Sequence, residues 1–223
     1  MSASSSPENT ALEHLRIIRT LMERAQIYRA VSAPAALFGG VLALVVAIIG
    51  VKLNVFPRDA ETISNAFRSH EFLFTWLGVL MVTGLANLLL LMREAGGRGQ
   101  PFITDGLRMA LRAISPPLIT GGVLGVCLIW FDEQLELAAL VWILCYGLAL
   151  QATVSFAPRG IIRLARAFLI TGQLLTVLWF ANGGLGMFQR PEAPASLFMG
   201  MTFGLSHIIY GIAVFLSKPR PAV

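Results

Sequence analysis

Long apolar runs alternate along this chain with short segments that carry nearly all of its charge. The runs are continuous rather than alternating residue by residue, which predicts helices and not strands. Six are of a length to cross a bilayer, which takes about 20 residues as a helix. They are Val31–Val51, Phe72–Met92, Ser115–Phe131, Leu135–Ala157, Leu164–Ala181 and Ala195–Leu216. The third is short and holds Pro116 and Pro117, yet a full crossing is expected of it. Around this transmembrane domain (30–217), residues 1–7 read as a disordered start and 218–223 as a cytoplasmic tail. Residues 8–29 read as an amphipathic helix. Thr10 and Glu13 have the spacing of a capping box, and Leu12, Leu15, Ile18, Met22 and Ala25 recur near helical period.

Composition strengthens the membrane reading. The chain is 56% apolar and 13% charged, where soluble domains run near 45–50% and about 25%. Too few polar residues remain to coat a water-soluble globule of this size, and far too many apolar ones are present for a disordered chain. The fold class expected is all-α, a polytopic membrane protein of six transmembrane helices. The first 30 residues lack the apolar core of a secretory leader. Cys127 and Cys145 both fall inside spans at different depths, so two ordinary thiols are expected rather than a disulfide.

The formal charge of +5 is unevenly placed. Arg16, Arg19, Arg24 and Arg29 precede the first span, and Arg93, Arg98, Arg108 and Arg112 follow the second. Arg159, Arg163 and Arg166 follow the fourth, and Lys218 and Arg220 end the chain. The intervening loops hold only Lys52, Arg58, Arg68 and Arg190. Lys and Arg near span ends stay on the cytoplasmic side, which predicts cytoplasmic termini. Trp76, Trp130, Trp142 and Trp179 then fall in the outer halves of their spans, where indoles suit the headgroup region.

A threefold echo runs through the spans. Arg29-Ala-Val-Ser-Ala-Pro34 parallels Arg112-Ala-Ile-Ser-Pro-Pro117, and Leu118-Ile-Thr-Gly121 parallels Leu169-Ile-Thr-Gly172. Gly84, Gly147 and Gly204 open similar strings in the even spans. The reading is three repeated helical hairpins around a pseudo-threefold axis. Short strings also coincide by chance in Leu/Ala/Gly-rich helices.

Intramembrane polar residues are costly and mark candidate sites. Asn87, Gln151, His207, Tyr146 and Gln173 form the candidate cluster, with His207 the one ionisable residue deep in a span. A small cavity at the inner ends of the even helices is one expectation; a structural hydrogen bond from His207 to Asn87 or Gln151 is the plainer one. Arg16, Arg19, Arg24, Arg29, Arg108, Arg112, Arg159, Arg163 and Arg166 form a candidate cytoplasmic basic face. It is either a topological signal or a surface for an anionic partner. Ser206 and His207 are adjacent and point apart on a helix, no paired in-span aspartates exist, and His70-Glu71 does not continue to H-E-x-x-H. No catalytic residue, metal site or cofactor is predicted, and no nucleic-acid reader is present.

The run from Leu15 to Ser32, with its Ile-Arg and Met-Glu-Arg-Ala elements, resembles the opening of uncharacterised bacterial membrane proteins of about six helices. That resemblance covers the N-terminal fifth and the general layout. It implies a bacterial inner-membrane location and association with small cytoplasmic winged-helix regulators. The function expected is therefore non-enzymatic: interaction, sensing or regulation, with the lipid bilayer, a cytoplasmic regulatory protein and a second copy of the chain as partners. The alternative is a transporter or channel for a small neutral solute.

Overall fold

The first helix, α1 (Ala33–Val55), shows what kind of solvent this chain is built for. Its buried positions are small: Ala33, Ala35, Ala36, Gly40, Ala43 and Ala47. Its exposed positions include Phe38, Val41, Val45, Ile48 and Ile49. A helix in water does the reverse, hiding its large apolar side chains. Between helices in lipid there is no hydrophobic drive, so small residues that let backbones approach take the inward face. The same inversion recurs beyond α1, where Met81 is 70% exposed, Phe131 78% and Phe180 67%.

The computed structural model describes Glu13 and residues 33–55, 65–97, 105–184 and 192–217. Those residues form helices and turns, with no strand among them. After α1 come α2 (Asn65–Gly97), α3 (Asp105–Asp132), α4 (Leu135–Gln151) and α5 (Arg159–Ala181). The last helix, α6, is built of three stretches: an α-helical Glu192–Met199, a π-helical Gly200–Ser206 and an α-helical His207–Leu216. Five of the six are long and apolar enough to cross a membrane, and α4 is a shorter apolar helix. This is the architecture of a polytopic helical protein.

Two boundaries differ from the sequence reading. Span three, expected to be short, is a continuous helix of 28 residues that runs through Pro116 and Pro117. Two prolines remove the donors owed to the Arg112 and Ala113 carbonyls. Such gaps are tolerated in membrane helices where nearby groups re-satisfy the backbone; the Ser115 hydroxyl donates to the Leu111 carbonyl, next to the two freed carbonyls and not to either of them. The short member is instead α4, with 17 residues, or about 26 Å at 1.5 Å per residue. Residues expected to extend it to Ala157 turn away: the Ala157 amide donates to the Thr153 carbonyl, and Pro158 caps α5 in an extended conformation.

Neighbouring helices alternate in direction. Gly121 faces Cys145 and Gly125 faces Trp142 across the α3–α4 contact; Gly147 faces Phe168 and Gly172 faces Ile143 across α4–α5. The first and last helices approach backbone to backbone. A Cβ on Gly200 would lie 2.6 Å from Ala47 Cβ, one on Gly211 2.6 Å from Leu37 Cγ, and one on Gly50 2.6 Å from Ser196 Oγ. At Gly40 the added carbon would be 2.9 Å from both the Gly204 carbonyl oxygen and the Ile208 nitrogen. Only glycine permits this backbone-to-backbone approach. The pairing is antiparallel, so residues 33 and 217 lie at the same end of the bundle.

Packing is uneven between the two ends. Away from the arginines, Phe72, Leu73, Trp76, Ile129, Leu135, Ala139, Ala195 and Phe198 form a filled core. Phe72 and Trp142 stack there with ring centroids 6.4 Å apart, and His70 stacks on Trp130 at 4.3 Å. All four tryptophans lie toward this end, but only Trp130 is exposed; Trp76 is 5% exposed and serves as core, because Phe72 and its neighbours close over it. Toward the other end α2 has no buried residue from Leu77 to Arg93. The three hairpins of the sequence echo do not pack alike: α3 and α4 meet along their length, while α1 and α2 share much less contact and α1 prefers α6.

Trp179 donates its indole N–H to Glu136, joining the end of α5 to the first turn of α4. The carboxylate also sits where the α4 dipole favours negative charge. Glu136→Gln keeps an acceptor for the indole but removes the charge, and is expected to cost about 0.5–1.5 kcal/mol. Thermal unfolding in detergent would show it, and a variant melting above the native chain would contradict this role.

Candidate functional site

Of the five polar residues singled out in the spans, the structure joins two. Tyr146 on α4 and His207 on α6 are hydrogen-bonded, with 2.8 Å between the phenol oxygen and Nε2. The other ring nitrogen, Nδ1, lies 2.9 Å from the Phe203 carbonyl oxygen. A carbonyl only accepts, so Nδ1 carries the hydrogen, and Nε2 is the lone-pair nitrogen that accepts from Tyr146. One neutral tautomer is thus fixed from both sides.

The helix positions explain why these two meet. Residue 146 is on the α4 face toward α5, where Gly147 lets Phe168 and Leu169 approach within 3.0–3.1 Å of its missing Cβ. The π-helical stretch widens α6 just before His207, and the Phe203 carbonyl is left facing the imidazole. Phe168 and Phe203 complete an aromatic box. Centroids of Tyr146, Phe168 and Phe203 lie 4.8–5.0 Å from one another, and Phe203 stacks almost parallel to the imidazole at 6.2 Å. Phe168 is completely buried.

The expected hydrogen bond from His207 to Asn87 or Gln151 is absent, because both nitrogens are already engaged. Asn87 Oδ1 and Gln151 Oε1 are buried with no hydrogen-bond partner. Gln173 does not belong to the interior. It is exposed, on the outward side of α5 and turned well away from Phe168. Sequence reasoning missed Phe168 and Phe203, since a phenylalanine in an apolar span carries no signal of its own. It also missed Glu136, whose place one residue inside a span was the available clue.

Arg108, Arg112, Arg159, Arg163 and Arg166 are all exposed and all lie at one end, where α3 and α5 begin. Arg93, near the close of α2, is exposed at the same end. Glu71, Asp132 and Glu133 are exposed at the opposite end. Arg16, Arg19, Arg24 and Arg29 lie outside the described residues, as does the amphipathic segment 8–29 apart from Glu13. The terminal segments 1–7 and 218–223 also lie outside them.

Little chemistry is open to this arrangement. A histidine held by a donor and an acceptor has no free nitrogen for a substrate proton or a metal. Among the described residues no three His, Cys, Asp or Glu converge on a metal position. Cys127 and Cys145 are free thiols. Ser206, the neighbouring hydroxyl, is directed back to the Met201 carbonyl at 3.5 Å. Set against protein-family models, curated proteins and solved structures, the chain matches none.

Proposed function

We propose that this is a six-crossing inner-membrane protein whose work is non-enzymatic: it holds an arginine-lined cytoplasmic face against an anionic partner. The observation that carries the reading is the bias of charge, with exposed arginines of α2, α3 and α5 at one end, and exposed carboxylates beside Lys52 at the other. Positive charges near span ends favour the cytoplasmic side, and the same charges draw acidic surfaces toward them. The engaged nitrogens of His207 fit that reading, since this imidazole offers no open acid or base. The resemblance of the segment before α1 to companions of winged-helix regulators makes a small soluble regulator the partner we favour. The full chain should retain that protein through purification in mild detergent. Changing Arg108, Arg112, Arg159 and Arg163 together to Gln should reduce the retained amount at least about tenfold, as loss of several steering charges implies. Equal retention by the variant contradicts the proposal.

A transporter for a small neutral solute is the second reading. What favours it is the loosely packed inner half of α2, where Asn87 faces inward with an unpaired amide oxygen. Solute-driven swelling of proteoliposomes containing the chain, abolished by Asn87→Leu, would select it over the first.

A further inference from the structure

Gln173 lies on the wrong side of α5 for a residue with nothing to bond. The buried face of that helix is Ile161, Leu164, Ala165, Phe168 and Gly172. At about 100° per residue, Gln173 is roughly 140° away from Phe168. It shares the outward stripe with Arg159, Arg163, Arg166, Ile170 and Val177, all exposed. No hydrogen bond within the described residues reaches its amide, although the nearby Thr176 hydroxyl satisfies itself on the Gly172 carbonyl at 2.7 Å.

Depth makes this costly. The candidate span is Arg159–Ala181, 23 residues, and Gln173 is three residues past its middle. At 1.5 Å per residue it is about 21 Å from Arg159 and about 10 Å from Arg166 along the axis. Arginines at the near end can extend along the helix to the headgroups. An amide near the midplane of a hydrocarbon layer about 30 Å thick cannot reach them. Acyl chains offer neither donor nor acceptor.

We infer that a second copy of this chain covers the outward face of α5, with the two Gln173 amides hydrogen-bonded to each other near the bilayer midplane. This rests on the membrane reading above and on no part of the partner proposal. A carboxamide carries both a donor and an acceptor, so two of them related by a twofold axis satisfy each other. All copies insert in one orientation, and an axis along the membrane normal therefore brings the same residue to the same depth. Any other partner would have to supply a matching polar group there. The arginines do not forbid the contact. Helices that cross at Gln173 at about 40° and about 8 Å apart are offset sideways by about 7 Å at Arg166, which widens their separation there to about 11 Å, and the guanidiniums turn toward anionic headgroups.

The test is disulfide trapping in native membranes. In a chain with Cys127→Ser and Cys145→Ser, Gln173→Cys is oxidised with copper phenanthroline beside Leu205→Cys and Ile212→Cys, which replace exposed residues on α6. The expected result is a linked dimer for Gln173→Cys in most of the protein and monomer for the two controls. A second readout is the dimer fraction of the full chain in lipid nanodiscs, where Gln173→Leu should weaken association about three- to tenfold and Gln173→Asn less, as an interhelical amide bond implies. Monomeric native chain in nanodiscs, or trapping at 173 no stronger than at the controls, overturns the inference. Carbonate extraction of the same membranes keeps the two levels apart: chain released as a peripheral protein defeats the membrane reading itself, whereas chain retained but untrapped defeats only the dimer.

Discussion

Gly40→Leu is expected to prevent α1 and α6 from docking and to be the most damaging single substitution in the bundle. Even the first carbon of the new side chain meets backbone, 2.9 Å from the Gly204 oxygen and 2.9 Å from the Ile208 nitrogen. Real Cβ atoms do not sit so close, and backbone inside a helix cannot turn aside as a flexible side chain can. Overpacking a close-packed interior costs about 1–3 kcal/mol, occasionally more; Gly40→Ala belongs in that range and Gly40→Leu above it. The opposing residue repeats the constraint, since a Cβ on Gly204 would lie 3.1 Å from the Leu44 Cα. Gly84→Ala is the control. Nothing lies within 4 Å of its added carbon, and alanine is the better helix former, so stability should hold or rise slightly. Unfolding of the three purified variants in mixed detergent, followed by circular dichroism, reads the difference. A native-like transition for Gly40→Leu would mean that the two helices stand further apart than described.

Tyr146→Phe is expected to destabilise the bundle by about 1–2 kcal/mol without changing its volume. The deletion leaves His207 Nε2 with a lone pair, no donor and an aromatic surround. Orphaning a buried acceptor costs about 1–3 kcal/mol, although transmembrane side-chain hydrogen bonds measured by double-mutant cycles average about 0.6 and reach about 1.7. His207→Leu leaves the Tyr146 hydroxyl equally orphaned and frees the Phe203 carbonyl. The double variant should cost clearly less than the two losses added together, because no unmatched phenol–imidazole group then remains between α4 and α6. Strict additivity would mean that the 2.8 Å contact carries no energy.

The legible part of this fold is the part that depends on local chain chemistry. Long apolar runs such as Arg159–Ala181 must become helices in a medium without hydrogen-bonding solvent, and the Leu and Ala residues of α1 favour one besides. Arg108, Arg112, Arg159, Arg163 and Arg166 were recognisable as one basic group because helix direction alone decides which end they occupy. Side-chain partners were less legible. Asn87, Gln151 and His207 looked like one cluster because all three sit at similar depth, but depth does not fix azimuth. Gln173 shows the same limit: a shift of five residues from Phe168 turns it to the opposite face. The π-helical stretch adds a second unknown, since one wide turn at Gly200–Ser206 resets the facing of everything after it. The four-residue spacing of Gly200 and Gly204 fits close helix packing but names no partner. Only the folded arrangement matches Gly200 to Ala47 and Gly204 to Leu44.

The reading as a whole rests on which way the arginine end faces. Single cysteines placed at Gly96, at the close of α2, and at Glu133, between α3 and α4, occupy exposed positions at opposite ends. In a chain otherwise free of cysteine, expressed in intact spheroplasts, a membrane-impermeant maleimide should label Glu133→Cys at once. Gly96→Cys should react only after the membrane is permeabilised. Labelling of Gly96→Cys from outside, or equal labelling of both before permeabilisation, would contradict the account.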